Sequence, residues 1–237
     1  MANIVDSMDK LLHSPLLWMT LTLVAYQAGF WLHRRLGEPV LMPPLLWSLI
    51  ILITVVIVGK VDYQTYFQAN AFIHFLLGTS TVALAVPLYQ SLPRMKTAAI
   101  PLSITLIFGS LLGAGVALAL ASMAQLSPSS VLAFATRAVT TPMALGIAEK
   151  IHAPLALASA IVIISGLMGA IAAEPLLKFV RNDIAKGFAL GLAAHGVGTA
   201  RALQISPTAG AFAALGMSLN GLLTALWLPT VIRWWLS

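Results

Sequence analysis

Six apolar segments, each long enough or nearly long enough to cross a bilayer, dominate the sequence. A crossing helix needs about 20 mostly apolar residues, and the six stretches are residues 16–32, 41–58, 69–92, 98–123, 154–177 and 207–235. Of all residues, 59% are apolar and only 8% are charged. A water-soluble domain with this composition could not cover its surface with polar groups. This excludes a soluble enzyme, a disordered chain and a nucleic-acid-binding domain, and it predicts an all-α polytopic membrane protein in one domain, residues 1–237.

Two further apolar segments carry polar interruptions in their middle. Residues 129–150 contain Arg137 and Pro142, and residues 183–203 contain the sequence His-Gly-Val-Gly-Thr from 195 to 199. Proline resists the interior of a helix, and glycine lets the backbone unwind. Non-helical backbone at membrane depth is tolerated only where protein or a watery cavity satisfies its polar groups. We therefore expect the two breaks to face each other near mid-membrane.

The positive charges predict how the segments are oriented. Three loops hold most of them: Arg34, Arg35, Arg94, Lys96, Lys178, Arg181 and Lys186. The positive-inside rule places these loops in the cytoplasm. The second and third loops share a side only if residues 129–150 form a hairpin that enters and leaves at the outer face. By analogy, residues 183–203 are expected to form a hairpin from the cytoplasmic side. This gives about six full transmembrane helices plus two interrupted or re-entrant segments, with both termini outside.

The first break has the composition of an anion site. Arg137 carries a fixed charge with a fork of donors that matches a carboxylate. Thr140 and Thr141 offer hydroxyl groups, and a half-helix that begins at Pro142 points its positive dipole end at the break. The alternative is that the threonines and the proline only kink a helix, while Arg137 extends to a lipid headgroup. Intramembrane charges are functional by default, which favours the anion site.

The second break combines glycines with two basic residues. Gly196 and Gly198 allow the backbone to approach a ligand closely. His195 can donate, accept or titrate near neutral pH, and Thr199 and Arg201 add a hydroxyl group and a second buried charge. Histidines and glycines in membrane helices usually serve packing, and this is the alternative. The combination in an otherwise apolar stretch favours a binding role.

A third polar break is predicted at residues 78–81, with Thr79 and Thr81 as candidate contacts, although such hydroxyls often only bond to their own helix. Asn220 in the last span is a candidate contact to the second hairpin, although the sequence favours a packing role for it. The sequence contains no cysteine and no motif typical of a catalytic or metal site. It therefore predicts neither an enzyme nor a bound cofactor or metal. A channel is left open, since polar breaks also build selectivity filters.

Three separated motifs make the chain resemble the LrgB/CidB family of antiholin-like bacterial membrane proteins. They are residues 82–89 (VALAVPLY), 139–142 (VTTP) and 195–202 (HGVGTARA). The resemblance runs over nearly the whole chain. It implies a multi-pass protein of the bacterial inner (plasma) membrane with a small LrgA/CidA-like membrane protein as partner. The plastid glycolate/glycerate translocator of plants carries a similar domain.

The resemblance implies two functions, and the residues favour one of them. The first is transport of small monocarboxylates such as pyruvate, glycolate or glycerate. In this reading Arg137 anchors the carboxylate and His195 carries a coupled proton, because the reference pKa of histidine is about 6.5. The second is an antiholin-like regulatory subunit that modulates murein hydrolase export and cell lysis. Buried cations favour the transporter, since a purely structural bundle has little reason to keep them. The exact substrate and the formation of a homo-oligomer are left open.

Overall fold

Helices make up most of the part that the structure describes. This computed structural model describes residues 14–37, 42–83, 85–90 and 92–236, and every regular element there is a helix. Three of these helices are long and apolar enough to cross a membrane: Ala99–Met123, Leu155–Ala173 and Pro207–Trp235. The predicted all-α membrane fold is confirmed. The three helices coincide with three of the six predicted spans, and the total of six stays a prediction.

The chain divides into two compact units, Met1–Ala83 and Leu84–Ser237, so the single domain also stays a prediction. The described helices of the first unit are α1 (Pro15–Arg35), α2 (Pro44–Val58), α3 (Tyr63–Ala69) and α4 (Ala71–Ala83). Helices α1 and α2 pack closely, because a Cβ atom on Gly29 would stand only 2.5 Å from Ser48 Oγ. In the same unit, Thr22 Oγ1 of α1 donates to Asn70 Oδ1 at 3.1 Å.

The third polar break, predicted at residues 78–81, is wrong. These residues have helical backbone inside α4. Thr79 is exposed, and its Oγ1 atom donates to the Leu76 carbonyl oxygen at 2.8 Å, within its own helix. Hydroxyl groups that bond back to the preceding turn are compatible with a continuous helix. The side chain of Thr81 lies outside the described residues.

The second unit contains the remaining described helices. They are α5 (Ala85–Gln90), α6 (Leu92–Thr97), α7 (Ala99–Met123), α8 (Pro128–Phe134), α9 (Thr141–Lys150), α10 (Leu155–Leu177), α11 (Asp183–Ile205) and α12 (Pro207–Leu236). The directions of the other helices are described relative to α12, because α7 and α10 contact it near both of its ends.

Helix α7 runs parallel to α12. Near its start, Leu102 packs against a cluster that contains Phe212, and further along Ser110 forms a hydrogen bond with Thr224. Residue numbers therefore rise together in the two helices. The end of α7 thus lies on the same side of the unit as the C-terminal end of α12.

Helix α10 runs antiparallel to α12. Ala158, near its start, belongs to a buried cluster with Leu228 and Ile232, near the end of α12. Leu177, at the end of α10, packs against a cluster that includes Ala209, near the start of α12. The start of α10 therefore also lies at the C-terminal end of α12.

These directions make residues 128–150 a re-entrant hairpin. Helix α8 follows the end of α7 after the short linker 124–127, and α9 is joined to the start of α10 by the short linker 151–154. Both linkers lie at the C-terminal end of α12, so the chain enters and leaves the unit at the same end. The non-helical segment 135–140 forms the tip. The first predicted hairpin is confirmed, whereas its entry from the outer face stays a prediction.

Helix α11 is also a hairpin, made of two helical halves that meet at a kink. A straight helix of its 23 residues would separate its ends by roughly 33 Å. Instead, Ser206 Oγ, just after its end, donates to Asp183 Oδ2, at its start, at 2.7 Å. The chain reverses at His195, whose φ of 40° and ψ of −122° are non-helical. The second predicted hairpin is confirmed, whereas its entry from the cytoplasmic side stays a prediction.

The half of α11 before His195, here called the entering half, packs against the first half of α12, and the half after His195 is called the returning half. A Cβ atom on Gly187 would collide with the carbonyl oxygen of Ala209, and one on Gly191 with that of Ala213. The two glycines are one helical turn apart, as are the two alanines, so the helices run parallel here. The second hairpin therefore enters at the N-terminal end of α12, opposite to the first.

We expect chemical labelling to reproduce this arrangement, because the chain has no native cysteine. Single-cysteine variants at Leu126 and Lys150 should react with a membrane-impermeant maleimide from one side of the membrane. Variants at Lys96 and Arg181 should react only from the other side, since these residues flank the start of α7 and the start of α11. Labelling of Leu126→Cys and Lys150→Cys from opposite sides would contradict the first hairpin.

Candidate functional site

The two helix breaks meet at the side chain of Asn220 in α12. Its Nδ2 atom donates to the carbonyl oxygen of Ala138, in the first break, at 2.7 Å. It also donates to the carbonyl oxygen of Leu192, next to the second break, at 3.4 Å. Both carbonyl groups therefore lie within reach of one nitrogen atom, and Asn220 is only 1% exposed. The expectation that the breaks face each other is confirmed, and Asn220 bonds to the second hairpin although the sequence favoured a packing role for it.

Arg137 lies in the first break, level with the middle of two long helices. Its Nε atom donates to the carbonyl oxygen of Gly113 in α7 at 3.2 Å, and its Nη1 atom to Ser165 Oγ in α10 at 3.5 Å. Each partner stands at least about 15 Å from either end of its helix at 1.5 Å per residue. This depth argues against the alternative in which Arg137 extends to a lipid headgroup.

The N-terminus of α9 adds positive potential to the same break. Thr140 is the N-cap residue with extended backbone, and its side chain makes no capping hydrogen bond. The first N–H groups of a helix have no partner within the helix and carry a partial positive charge. Pro142 occupies the first turn of α9 and has no N–H group, which leaves the amides of Thr141 and Met143 as donors there.

His195 forms the tip of the second hairpin and is 4% exposed. Its Nε2 atom lies 3.1 Å from the carbonyl oxygen of Val162 in α10. Since a carbonyl oxygen only accepts, the imidazole carries a proton on Nε2. Thr199 Oγ1 donates to the backbone carbonyl of His195 at 2.9 Å and lies 3.7 Å from the sulfur of Met217. These contacts fix the ring and the backbone of the break.

Both basic residues contact the same turn of α10. His195 bonds to Val162 and Arg137 bonds to Ser165, which lies three residues further along. Residues three apart in an α-helix share a face. The two hairpins thus place an arginine and a histidine against one face of a third helix, next to the Asn220 bridge.

The residues of α10 that hold this arrangement do not stand out in the sequence. A Cβ atom on Gly166 would stand 2.5 Å from Cε1 of His195, and one on Gly169 would stand 2.8 Å from Cβ of Ala194. Together with Ser165 they form the pattern Ser-Gly-x-x-Gly inside an apolar span. Small residues on one face signal close helix packing, but the partner of that face depends on the tertiary structure.

The remaining candidate residues lie in different surroundings. Gly196 is exposed, with no other atom near the position of a Cβ, whereas Gly198 is buried against the entering half of α11. Arg201 lies on the returning half and is half-buried, not buried as predicted, and its Nη1 atom donates to Gln204 Oε1 at 2.7 Å. This bond supports a role for Arg201 in bracing the second hairpin. Thr79 belongs to the first unit.

The described carboxylate groups stand at helix ends. Asp183 begins α11 and accepts from Ser206, and Glu149 is exposed in the last turn of α9. Neither is among the hydrogen-bond partners of Arg137 or His195. Within the described residues, no group of three or more histidine and acidic side chains could hold a metal ion. The centre of the unit is therefore rich in donors and positive charge.

Two re-entrant hairpins that enter from opposite ends and meet at a buried basic centre define a class of helical membrane protein built on paired broken helices. Within that class, the chain belongs to the LrgB-like family, whose profile matches residues 22–234. The resemblance inferred from the three motifs is confirmed.

Relatives from several bacteria are similar to this chain over most of its length. One is the uncharacterized protein YwbG of Bacillus subtilis, 28% identical over 86% of this chain and 91% of that protein. Another is the holin-like protein CidB of Staphylococcus epidermidis, 26% identical over 91% and 95%. The holin-like protein CidB of Staphylococcus aureus is 28% identical over 92% and 95%. No solved structure matches the chain.

The second hairpin should tolerate a methyl group at one glycine and not at the other. In Gly198→Ala the new Cβ collides with the carbonyl oxygen of Leu190 in the entering half, whereas in Gly196→Ala it meets nothing within 4 Å. We expect Gly198→Ala to lower the stability of the folded protein by about 1–3 kcal/mol, the usual cost of overpacking. Thermal unfolding in detergent micelles measures the difference. Equal midpoints for the two variants would contradict the close packing of the hairpin halves.

Proposed function

We propose that the protein is a multi-pass transporter of small monocarboxylates such as pyruvate, glycolate or glycerate in the bacterial inner membrane. The observation that carries this proposal is Arg137, a charged group at mid-depth whose hydrogen-bond partners are a carbonyl group and a hydroxyl group. Neither partner neutralises its charge. A charge at this depth is costly unless something pairs with it, and a small carboxylate supplies the opposite charge.

The surroundings of Arg137 support an anion rather than a cation as the ligand. The N-terminus of α9 contributes free amide donors, and Thr140 and Thr141 contribute hydroxyl groups. His195 faces the same turn of α10. Broken helices whose N-termini point at an anionic group are a recurring device of secondary transporters. Thr199 and Gly196 of the second hairpin complete the set of candidate substrate contacts.

Substitution of Arg137 is the direct test of the anion site. Arg137→Ala should abolish uptake of labelled pyruvate and glycolate into proteoliposomes, since loss of a buried charged hydrogen bond costs on the order of 2–5 kcal/mol. Arg137→Lys should retain partial activity, because it keeps the charge but loses the forked geometry. The matched control is Arg233→Ala, which removes an exposed arginine in the last turn of α12.

All three variants should insert into the membrane and elute from a size-exclusion column as the parent protein does. Normal uptake by Arg137→Ala would show that the anion site is assigned to the wrong residue. If the parent protein alone shows no uptake, the assay should be repeated with the LrgA/CidA-like partner present, because a two-component transporter would need both proteins.

His195 is proposed to carry a coupled proton. Arg137 is the charged group that faces the same turn of α10, so a second positive charge on the imidazole is unfavourable when the site is empty. A bound carboxylate offsets that repulsion. Proton binding and anion binding therefore favour each other, as linkage requires.

The proton role predicts a specific change in pH dependence. In the parent protein, uptake should rise as the external pH falls, because each carboxylate then enters with a proton on His195. His195→Gln keeps a side-chain donor for Val162 but does not titrate, so its uptake should depend much less on pH. His152→Gln, an exposed position before α10, is the control. A wild-type pH profile in His195→Gln would remove the proton role and leave the anion site untouched.

A regulatory function is the second candidate, and the names of the relatives favour it. Two of the similar proteins are called holin-like, which suggests an antiholin-like subunit that modulates murein hydrolase export and cell lysis with an LrgA/CidA-like partner. Proteoliposomes separate the two functions. A regulatory subunit should change the release of an encapsulated dye through the partner without saturable carboxylate uptake. A transporter should show saturable uptake and no dye release.

A further inference from the structure

A chain of polar side chains runs along α12 from its C-terminal half to the two breaks. Trp227 Nε1 donates to Ser110 Oγ of α7 at 3.0 Å, and the hydroxyl groups of Ser110 and Thr224 lie 3.1 Å apart. Thr224 Oγ1 donates to Asn220 Oδ1 at 3.5 Å, the longest link. Ser110, Thr224 and Asn220 are each at most 3% exposed. We call Trp227, Ser110, Thr224 and Asn220 the polar relay.

The hydrogen bonds of the polar relay are all donated in the same direction. The indole N–H group of Trp227 can only donate. Thr224 has a single hydroxyl hydrogen, and because it donates to Asn220, Ser110 is the donor to Thr224. Every donor therefore points toward Asn220, whose amide hydrogens end on the carbonyl groups of Ala138 and Leu192. Aligned hydrogen bonds in a low-dielectric interior strengthen one another.

Other hydroxyl groups in this chain behave differently. Thr105 in α7 and Thr230 in α12 donate to carbonyl groups four residues earlier in their own helices, at 2.8 and 3.3 Å. This is the ordinary choice for a hydroxyl group in a membrane helix. Ser110 and Thr224 instead bond between α7 and α12. Simple packing of the two helices would not need these bonds.

We propose that Trp227, Ser110 and Thr224 are positioning residues that hold the Asn220 amide in the orientation that joins the tips of the two hairpins. In the flipped orientation, the amide oxygen would face the two carbonyl oxygens and repel them. The hydroxyl group of Thr224 opposes the flip, because its oxygen already accepts from Ser110 and its hydrogen needs the amide oxygen as acceptor. The proposal depends on the proposed function only in calling the joined tips a substrate site.

Distance measurements between the hairpins test the proposal without any transport assay. In the cysteine-free chain, spin labels attached at Gly146→Cys and Ala200→Cys report on one hairpin each, and both positions are exposed. A Cβ atom on Gly146 would meet nothing within 4 Å. We expect one narrow distance distribution for the parent protein and for the control Thr230→Val. Thr224→Val, which removes only the relay hydroxyl, should add a second population at longer distance.

Restoring the hydroxyl group separates positioning from packing. Thr224→Ser should recover the narrow distribution although it deletes a methyl group, whereas a packing role would make it worse than Thr224→Val. Ser110→Ala should broaden the distribution, and Ser103→Ala, an exposed position on the same helix, should not. An unchanged distribution in both Thr224→Val and Ser110→Ala would overturn the proposal. If these distances respond while the parent protein transports nothing, the positioning role stands and only the proposed function falls.

Discussion

Hydrocarbon cannot hydrogen-bond to a broken backbone, and the second unit is organised around this constraint. Each hairpin reverses direction inside the bundle and so leaves peptide groups without helical partners, at several kcal/mol for each unsatisfied group. Asn220 satisfies one carbonyl group from each hairpin with a single amide nitrogen. Both hairpins therefore depend on α12, because Asn220 accounts for a hydrogen bond to each of them.

The breaks were predictable because their causes are local in sequence. Pro142 and the glycines at 196 and 198 weaken a helix wherever they stand, and the loop charges supplied the direction of the first hairpin. The predicted break at residues 78–81 failed for an equally local reason, since a threonine hydroxyl such as that of Thr79 can be satisfied by its own helix. A run of hydroxyl residues without proline or a pair of glycines is weak evidence for a break.

The partners of the breaks were not predictable in the same way. Ser165, Gly166 and Thr224 look like ordinary small residues of apolar helices in the sequence. Ser165 and Gly166 matter because Arg137 and His195, 25 to 30 positions away in the sequence, pack against them. Thr224 matters because it donates to Asn220, one helical turn away, and bonds to Ser110 of another helix. Pairing between helices is fixed by the directions of α7, α10 and α12, and a single sequence carries no direct record of those directions. Asn220 could be singled out as a candidate contact, because an amide in an apolar span needs partners wherever it lies, but packing was the favoured role.

The backbone conformation of His195 supports a functional role for its imidazole side chain. A φ of 40° is unfavourable for a residue with a Cβ atom, and such strain costs of order 1–3 kcal/mol and persists only where the surroundings impose it. Glycine would relieve that strain, and the chain has glycine at 196 and 198 but not at 195. The imidazole instead lies against Gly166 and donates to Val162. A residue that is strained where glycine would be easy is a candidate for function. The backbone geometry of His195 therefore supports its proposed role as a proton carrier independently of the charge on Arg137.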